Sequence, residues 1–186
     1  AFEKMIRNII FSTFFFSGII IISIIFLPSF FLPQKVVQFG GRVMGHWTGF
    51  CLRFLLSTSI KIKGRENIIQ NEKFFIAASH QSMFETFYLQ TIFNSPIFIL
   101  KKELILIPIF GWYLKKIGSI SIKRNKVSKD NLSFFDDISK ILLNSLRPLI
   151  IFPQGTRVLP DERPSFKKGA SRIYENLNIS CQPVAI

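Results

Sequence analysis

One uncharged stretch, residues 9–31, constrains the fold more than any other feature of this sequence. Its 23 residues carry no charged side chain, and roughly 20 apolar residues are enough to cross the hydrocarbon core of a bilayer. We therefore expect this segment to meet a membrane. Gly18 and Pro28 interrupt it, and proline breaks a helix, so a short interfacial or re-entrant helix pair competes with a true span.

A secretory leader is a further interpretation of the same segment. Lys4 and Arg7 precede it, as basic residues do in a leader. The run is long for a leader, however, and no small-residue cleavage site follows it. We therefore prefer a membrane segment that is retained in the mature protein over a leader that is cleaved off.

Charge and composition indicate the kind of partner. The 186 residues, the length of one domain, include 24 Lys and Arg against 11 Asp and Glu, a net charge of +13. Such an excess implies an anionic partner, either lipid or nucleic acid. With 48% hydrophobic residues and 22 Phe, the chain differs from nucleic-acid binders, which interleave basic and polar residues. We expect membrane lipids as partners and no nucleic acid.

The two cysteines stand alone in the sequence. Cys51 and Cys181 lack the short spacing of a zinc site, and they do not make a disulfide framework. We expect both to be buried as small apolar side chains. We expect no metal site.

Past the membrane segment the pattern alternates between strands and helices. Apolar spacing predicts a helix at 42–56, in which His46 and Trp47 are given no chemical role. Helices are also predicted at 83–92 and 128–146, the latter with an apolar stripe that includes Leu146. Strands are predicted at 57–63, 74–78, 96–100, 119–123, 149–152 and 183–186.

This alternation predicts an α/β fold with a central mixed sheet flanked by helices. The domain would occupy residues 57–186, preceded by a membrane-associated helical segment at 1–56. Because the chain stops at Ile186 inside a strand-like run, we expect the domain to be incomplete at its carboxyl end.

The first chemical constellation joins His80 to Glu85. His80 follows the predicted strand 74–78 and precedes a helix, and functional groups often lie at such carboxyl ends of strands. An imidazole can take a proton from an attacking hydroxyl when a carboxylate holds its other nitrogen. Glu85 could be that carboxylate. It could equally belong to a capping box with Ser82, reaching back to the backbone of that residue.

The second constellation is the stretch Phe-Pro-Gln-Gly-Thr-Arg at 152–157, directly after a predicted strand. Gly155 permits close backbone approach, and Arg157 can hold a phosphate through two parallel hydrogen bonds. A simple turn with a solvated Arg157 explains the same residues. Further basic residues, which would surround an anionic headgroup or merely be solvated, are Lys101, Lys102, Lys123, Arg124, Lys167 and Lys168.

These blocks, in this order, resemble the glycerolipid acyltransferase family, in particular its bacterial 1-acyl-glycerol-3-phosphate acyltransferases. The matching blocks are His-x4-Asp/Glu at 80–85, Lys-Lys…Ile-Pro-x-x-Gly…Gly…Arg at 101–124, Phe-Pro-Glu-Gly-Thr-Arg at 152–157 and Pro-Val at 183–184. A further match at 166–170 follows the third block. The resemblance covers roughly residues 60–186.

The resemblance implies transfer of a fatty acyl group from acyl-CoA or acyl carrier protein to lysophosphatidic acid, without a cofactor or an acyl-enzyme. It implies that His80 is the general base and that Glu85 orients it, while capping the helix with its other oxygen. Phosphate binding would fall to Arg157 with Gly155 and Thr156. Less directly implied phosphate-binding residues are Lys101, Lys102, Arg124 and Lys167.

Two positions depart from the commonest family pattern. Glu85 replaces Asp and adds a methylene, so its carboxylate must fold back toward the histidine. Gln154 replaces Glu and removes a charge beside Arg157. Two alternative functions remain. The protein could acylate another lysolipid, such as a lysophospholipid or lyso-ornithine lipid, or it could be a non-catalytic lipid-binding protein of the same fold.

The resemblance also implies a location. We expect the inner (cytoplasmic) membrane, with the catalytic domain on its cytoplasmic side. The basic residues that flank the apolar run, Lys4 and Arg7 before it and Lys35 and Arg42 after it, show no bias that would fix the orientation.

Overall fold

A computed structural model describes residues 2–122, 130–159 and 161–186. Its contacts divide the chain into two compact units. The first comprises the residues up to Glu66 together with Thr86–Ser95, and the second comprises Asn67–Glu85 together with Pro96–Ile186. The division predicted between residues 56 and 57 stays a prediction.

The first unit is built on two long helices, α1 (Phe2–Ile25) and α2 (Gln34–Leu55), joined through a 3-10 turn at Leu27–Phe31. The prediction that Gly18 interrupts the apolar run was wrong, because α1 continues through it. The break comes at the 3-10 turn, which contains Pro28. At 1.5 Å per residue the 24 residues of α1 measure about 36 Å.

The two helices pack as an antiparallel pair through small residues. A side chain on Gly18 would overlap the ring of Trp47, and one on Gly40 would meet the ring of Phe26. Trp47 Nε1 also donates a hydrogen bond to the Phe15 carbonyl at 3.3 Å. Trp47 therefore packs α2 against α1, and α2 begins earlier than the predicted 42–56 because its first turns also belong to this pairing.

The strand predicted at 57–63 was wrong, since this segment pairs with no strand. Of its two isoleucines, Ile60 packs on a helix and Ile62 is exposed. Ile60 Cδ1 lies 3.7 Å from the position a Cβ would take on Gly49 of α2, and its neighbours Lys61 and Ile62 are exposed. One apolar contact on a helix needs no hydrogen-bonded ladder.

The second unit contains a five-stranded sheet in the order β3-β2-β4-β1-β5. The strands are β1 (Phe74–Ala78), β2 (Ile97–Lys101), β3 (Ile120–Ile122), β4 (Leu149–Ile151) and β5 (Ser180–Val184). The helices are α3 (Phe84–Ile92, which begins in this unit), α4 (Lys102–Ile105), α5 (Phe110–Lys116), α6 (Asp130–Leu143) and α7 (Gly169–Leu177). The α/β class is confirmed.

The sheet differs from the prediction in its strand directions. Every described pairing is parallel instead of mixed, because helical crossovers return the chain to the same end of the sheet between strands. The last strand begins before the predicted 183–186. Pro183 lies inside it, which is possible because β5 is an edge strand and proline cannot serve a central ladder.

The core of the second unit lies between the sheet and its helices. Phe75, Leu149, Ile138 and Ile173 are almost fully buried there. Leu146 was wrongly assigned to the apolar stripe of α6: it is 85% exposed, because α6 ends before it. The predicted start of that helix, 128–129, lies outside the described residues.

The two cysteines occupy different environments. Cys51 is buried in α2, as predicted. The prediction for Cys181 was wrong: it is exposed on β5, the outermost strand of the described sheet.

Candidate active site

His80 lies in the short connection between β1 and α3, at the carboxyl end of the sheet. Ser79, just before it, donates its N–H to the carbonyl of Val184 at the end of β5. The Ile186 N–H in turn donates to Ser79 Oγ at 2.8 Å. Hydrogen bonds to the neighbouring strand therefore fix the corner from which the imidazole projects.

The imidazole is held by a buried carboxylate. His80 Nδ1 lies 3.1 Å from Glu85 Oε1. The Glu85 side chain is fully buried, whereas 16% of the His80 side chain is exposed. With Nδ1 engaged, Nε2 is the ring nitrogen that can accept a proton from a substrate.

The same carboxylate collects several further donors. Glu85 Oε1 accepts the N–H of Gln81 and, at 2.7 Å, that of Ser82. Glu85 Oε2 accepts the hydroxyl of Ser82 at 2.8 Å, and that hydroxyl accepts the Phe84 N–H at 3.0 Å. These bonds close the first turn of α3.

These contacts set the charge of Glu85. Burial raises the pKa of its carboxyl, but hydrogen bonds from His80, from the backbone and from the Ser82 hydroxyl outweigh burial and bring the pKa to about 2. Glu85 is therefore ionised at neutral pH, as a carboxylate must be to stabilise an imidazolium.

One expectation about Glu85 was wrong. We expected the histidine contact and the helix cap to use different oxygens, but Oε1 serves both His80 Nδ1 and the backbone of Ser82. The extra methylene lets the side chain fold back over its own helix start, so that Oε1 faces His80 and the backbone N–H groups of Gln81 and Ser82 together. Orientation of the base and capping of α3 are thus one network.

The loop after β4 lies against the histidine. The ring of Phe152 stacks on the imidazole with centroids 4.2 Å apart and planes 21° from parallel. The Val158 N–H donates to the His80 carbonyl at 3.0 Å. This proximity follows from strand order, because β1 and β4 are neighbouring parallel strands and end at the same edge.

Gly155 forms the turn within this loop. Its φ of +70° is one that side chains rarely adopt, and its N–H donates to the Phe152 carbonyl at 2.9 Å. Lys167 is fastened to the same loop, since its N–H donates to the Pro153 carbonyl at 2.8 Å and its Cγ would lie 3.3 Å from a Cβ on Gly155. The structure thus brings Gly155 and Lys167 together.

The predicted phosphate-binding side chains are exposed. Thr156 and Arg157 project from the loop, and no carboxylate of the described residues forms an ion pair with Arg157. Lys101 and Lys102 are exposed at the end of β2, which neighbours β4 and shares its carboxyl edge. Arg124 lies outside the described residues.

Gln154 is buried, in contrast to its exposed neighbours. Its Oε1 has no hydrogen-bond partner among the described residues. A neutral amide is less costly than a carboxylate at a buried position, which gives a physical reason for Gln where the family pattern has Glu.

Within the described ranges no group of three or more His, Cys, Asp or Glu is placed to hold a metal ion, and metal-independent chemistry stays a prediction.

Two participants in this site were not singled out for it from the sequence. The sequence pattern assigns Phe152 to a strand and a motif, and its contact with the imidazole depends on strand order, which the pattern does not reveal. Ser82 was weighed only as a cap, although its hydroxyl also binds the carboxylate that holds His80. The capping-box spacing was the available indication for Ser82.

Fold and site together define a class: a parallel α/β domain with a carboxylate-held histidine at the carboxyl edge of its sheet and a glycine–arginine loop beside it. A family described as Acyltransferase matches residues 59–186. The chain belongs to this acyltransferase family.

Individual relatives agree with this assignment. A 1-acyl-sn-glycerol-3-phosphate acyltransferase of Pseudomonas aeruginosa is 30% identical over 165 residues, covering 84% of this chain and 62% of that protein. One of Helicobacter pylori is 37% identical over 113 residues, covering 60% and 47%. The chain thus spans less than two thirds of these curated relatives.

A solved structure shares the fold. The 1-acyl-sn-glycerophosphate (LPA) acyltransferase of Thermotoga maritima superposes with a TM-score of 0.72 at 22% identity, over 96% of this chain and 73% of that one.

Proposed function

We propose that this protein transfers a fatty acyl group from acyl-CoA or acyl carrier protein to the free hydroxyl of 1-acyl-glycerol-3-phosphate, yielding phosphatidic acid. The names of the relatives support the substrate class. The observation that carries the chemistry is the 3.1 Å contact between His80 Nδ1 and the buried, ionised Glu85.

In the proposed reaction His80 Nε2 takes the proton of the acceptor hydroxyl as its oxygen attacks the thioester carbonyl. The charge that develops on the imidazole is offset by Glu85. The tetrahedral intermediate then expels the thiolate, which receives the proton from the imidazolium and leaves as a thiol. The new ester forms as the thioester breaks, with no covalent acyl-enzyme and no cofactor.

Phosphate binding is assigned to the loop that contacts His80. Gly155 allows the backbone to come close to an anion, and Arg157 and Lys167 supply positive charge from the same loop and its neighbour. Lys101 and Lys102 add charge at the same sheet edge, and Arg124 stays a sequence-based candidate. In this proposal the acceptor's phosphate binds beside the base.

Replacing Arg157 with alanine is expected to lower kcat/KM for lysophosphatidic acid by about ten- to a hundredfold, because a charged hydrogen bond contributes roughly 1.5–3 kcal/mol. Arg157→Lys should restore only part of the loss, since an ammonium lacks the planar fork. Arg172→Ala, an exposed arginine on α7, is the matched control. If Arg157→Ala raised only the KM of the acyl donor, Arg157 would instead be assigned to the thioester pocket.

Membrane association is supported by the surface of α1. This helix is long and apolar enough to cross a bilayer, and most of its large side chains are exposed, including Ile9, Phe14 and Ile20. Its antiparallel partner α2 carries Lys35, Arg42 and other polar residues, which are costly in hydrocarbon. We therefore favour a helix pair lying in the membrane surface over a span, at the cytoplasmic face of the inner membrane.

Cysteines placed at Lys4 and at Lys35, in a chain lacking Cys51 and Cys181, should both react with an impermeant reagent from the same side of sealed vesicles. A surface helix pair never carries the chain across the bilayer, so both flanks share one side. Asp161→Cys, in the second unit, reports on which side that unit lies. Labelling of the two flanks from opposite sides would establish a span.

An acyl-transfer assay on the full-length protein in membranes tests the whole proposal. Lysophosphatidic acid should be used at least tenfold better than a lysolipid without a phosphomonoester, since roughly 1.5–3 kcal/mol of binding is lost with one charged contact. Both acyl-CoA and acyl carrier protein are offered as donors. Preference for another lysolipid would move the acceptor assignment, and no turnover with any acceptor would favour the non-catalytic lipid-binding protein.

A further inference from the structure

The segment 101–116 of the second unit presents an unusual surface. It contains α4, a turn and α5, and six of its large apolar side chains are exposed. We call this set the apolar hairpin patch; its members are Leu104, Leu106, Ile107, Ile109, Phe110 and Trp112. Leu106 is the most exposed of them at 73%. Contiguous exposed apolar residues of this kind mark a protein or membrane contact.

The local backbone holds this patch in place. A side chain on Gly111 would overlap the Ile105 carbonyl, so α4 and α5 approach as closely as glycine allows. Ile109 adopts a φ of +63°, which is rare for a β-branched residue. The turn between α4 and α5 therefore keeps its shape at a conformational cost.

Four backbone N–H groups of the turn are hydrogen-bonded within it. The N–H groups of Leu106, Ile107, Phe110 and Gly111 all donate to carbonyls within residues 103–108. Backbone that is already hydrogen-bonded can enter a low-dielectric region without leaving donors unpaired. This property distinguishes the segment from an ordinary solvated loop.

Charge identifies the partner. Four lysines flank the apolar positions, Lys101 and Lys102 on one side and Lys115 and Lys116 on the other, against the single acid Glu103. Lysines at the rim of an apolar patch can extend toward anionic headgroups while their stems stay with the apolar residues. Tryptophan, here Trp112, is enriched at the level of the headgroups.

We propose that the apolar hairpin patch docks the second unit on an anionic lipid bilayer, independently of the α1–α2 pair. Because α4 directly follows β2, the patch begins at the carboxyl edge of the sheet, the edge that carries His80 and Phe152. Docking through it would turn that edge toward the lipid. Docking itself does not require the proposed enzymatic activity.

The test uses Trp112 as a reporter. The chain contains two tryptophans, so Trp47→Phe leaves Trp112 alone. The full chain is bound to phosphatidylglycerol vesicles with and without bromine on the acyl chains near the headgroup. We expect the brominated lipid to quench Trp112 emission. We also expect the emission maximum to lie at a shorter wavelength with vesicles than in the same buffer without vesicles. If Trp47→Phe does not fold, the difference between wild type and Trp112→Phe yields the same quantity.

A matched control uses the opposite substitution on another exposed surface. Tyr174 on α7 is 57% exposed, against 55% for Trp112. In the chain carrying Trp47→Phe and Trp112→Phe, Tyr174→Trp should show little quenching. Equal quenching at the two positions, or a Trp112 emission that bromine leaves unchanged, would overturn the proposal. The second result would also be expected if another protein copy covered the patch. Acyl-transfer activity is measured separately, so loss of activity and loss of docking are distinguishable.

Discussion

Replacing His80 with alanine is expected to lower kcat by about a hundred- to ten-thousandfold, the usual contribution of a general base. The fold should persist, because Glu85 keeps its bonds to Gln81 and Ser82 and because the imidazole is partly exposed. Acyl transfer to lysophosphatidic acid, measured in membranes alongside a thermal unfolding curve, checks both parts.

The chain offers a matched control for this substitution. His46, the second of its two histidines, is exposed on α2, and His46→Ala should leave turnover unchanged. Near wild-type turnover by a folded His80→Ala protein would contradict the proposed base.

Replacing Glu85 with glutamine should lower kcat by about a hundredfold, and it should also remove the stability that the ionised carboxylate contributes at neutral pH. The amide oxygen can still accept the backbone N–H of Gln81 and Ser82, but a neutral amide cannot offset the charge of an imidazolium. The measurement is kcat against the unfolding midpoint for the same preparations. Full activity in Glu85→Gln would refute the orienting role.

Two comparisons separate the orienting role of Glu85 from its capping role. Ser82→Ala removes a hydroxyl from the cap and should cost roughly 1 kcal/mol of stability, with a smaller effect on kcat than Glu85→Gln.

The pKa of Glu85 is depressed in the folded protein to about 2 from 4.5. Its contribution to stability should therefore be complete above about pH 4.5 and be lost as pH falls toward 2, whereas Glu85→Gln should lack this dependence.

Local patterns were sufficient to predict much of the second unit. The strand 74–78 was predicted with the bounds observed for β1, because a short apolar run between polar segments has few other ways to be buried. The corner position of His80 and the spacing to Glu85 followed from the same strand and the helix start after it. These are short-range relations, which the order of residues largely determines.

Relations between distant segments were not predictable in this way. The stacking of Phe152 on His80 depends on β4 lying next to β1, and nothing local specifies strand order. The segment 57–63 has the alternation of a strand, but it pairs with no strand, and of its seven residues Ile60 alone is partly buried. The shared oxygen of Glu85 depends on side-chain folding within one turn, where a single methylene alters the geometry.

The hydrogen bonds between Ser79 and the end of β5 also mean that the corner around His80 forms only after β5 has been synthesised. β1 pairs with β5 in a register that joins residue 74 to residue 180, 106 positions apart. At roughly 5–20 residues per second the ribosome needs roughly 5–20 s to supply that partner. The apolar helix α1 precedes β1 in the chain and emerges well before then. With the proposed membrane association, a nascent chain can therefore reach a bilayer while the corner around His80 still lacks β5, so that targeting precedes completion of the site.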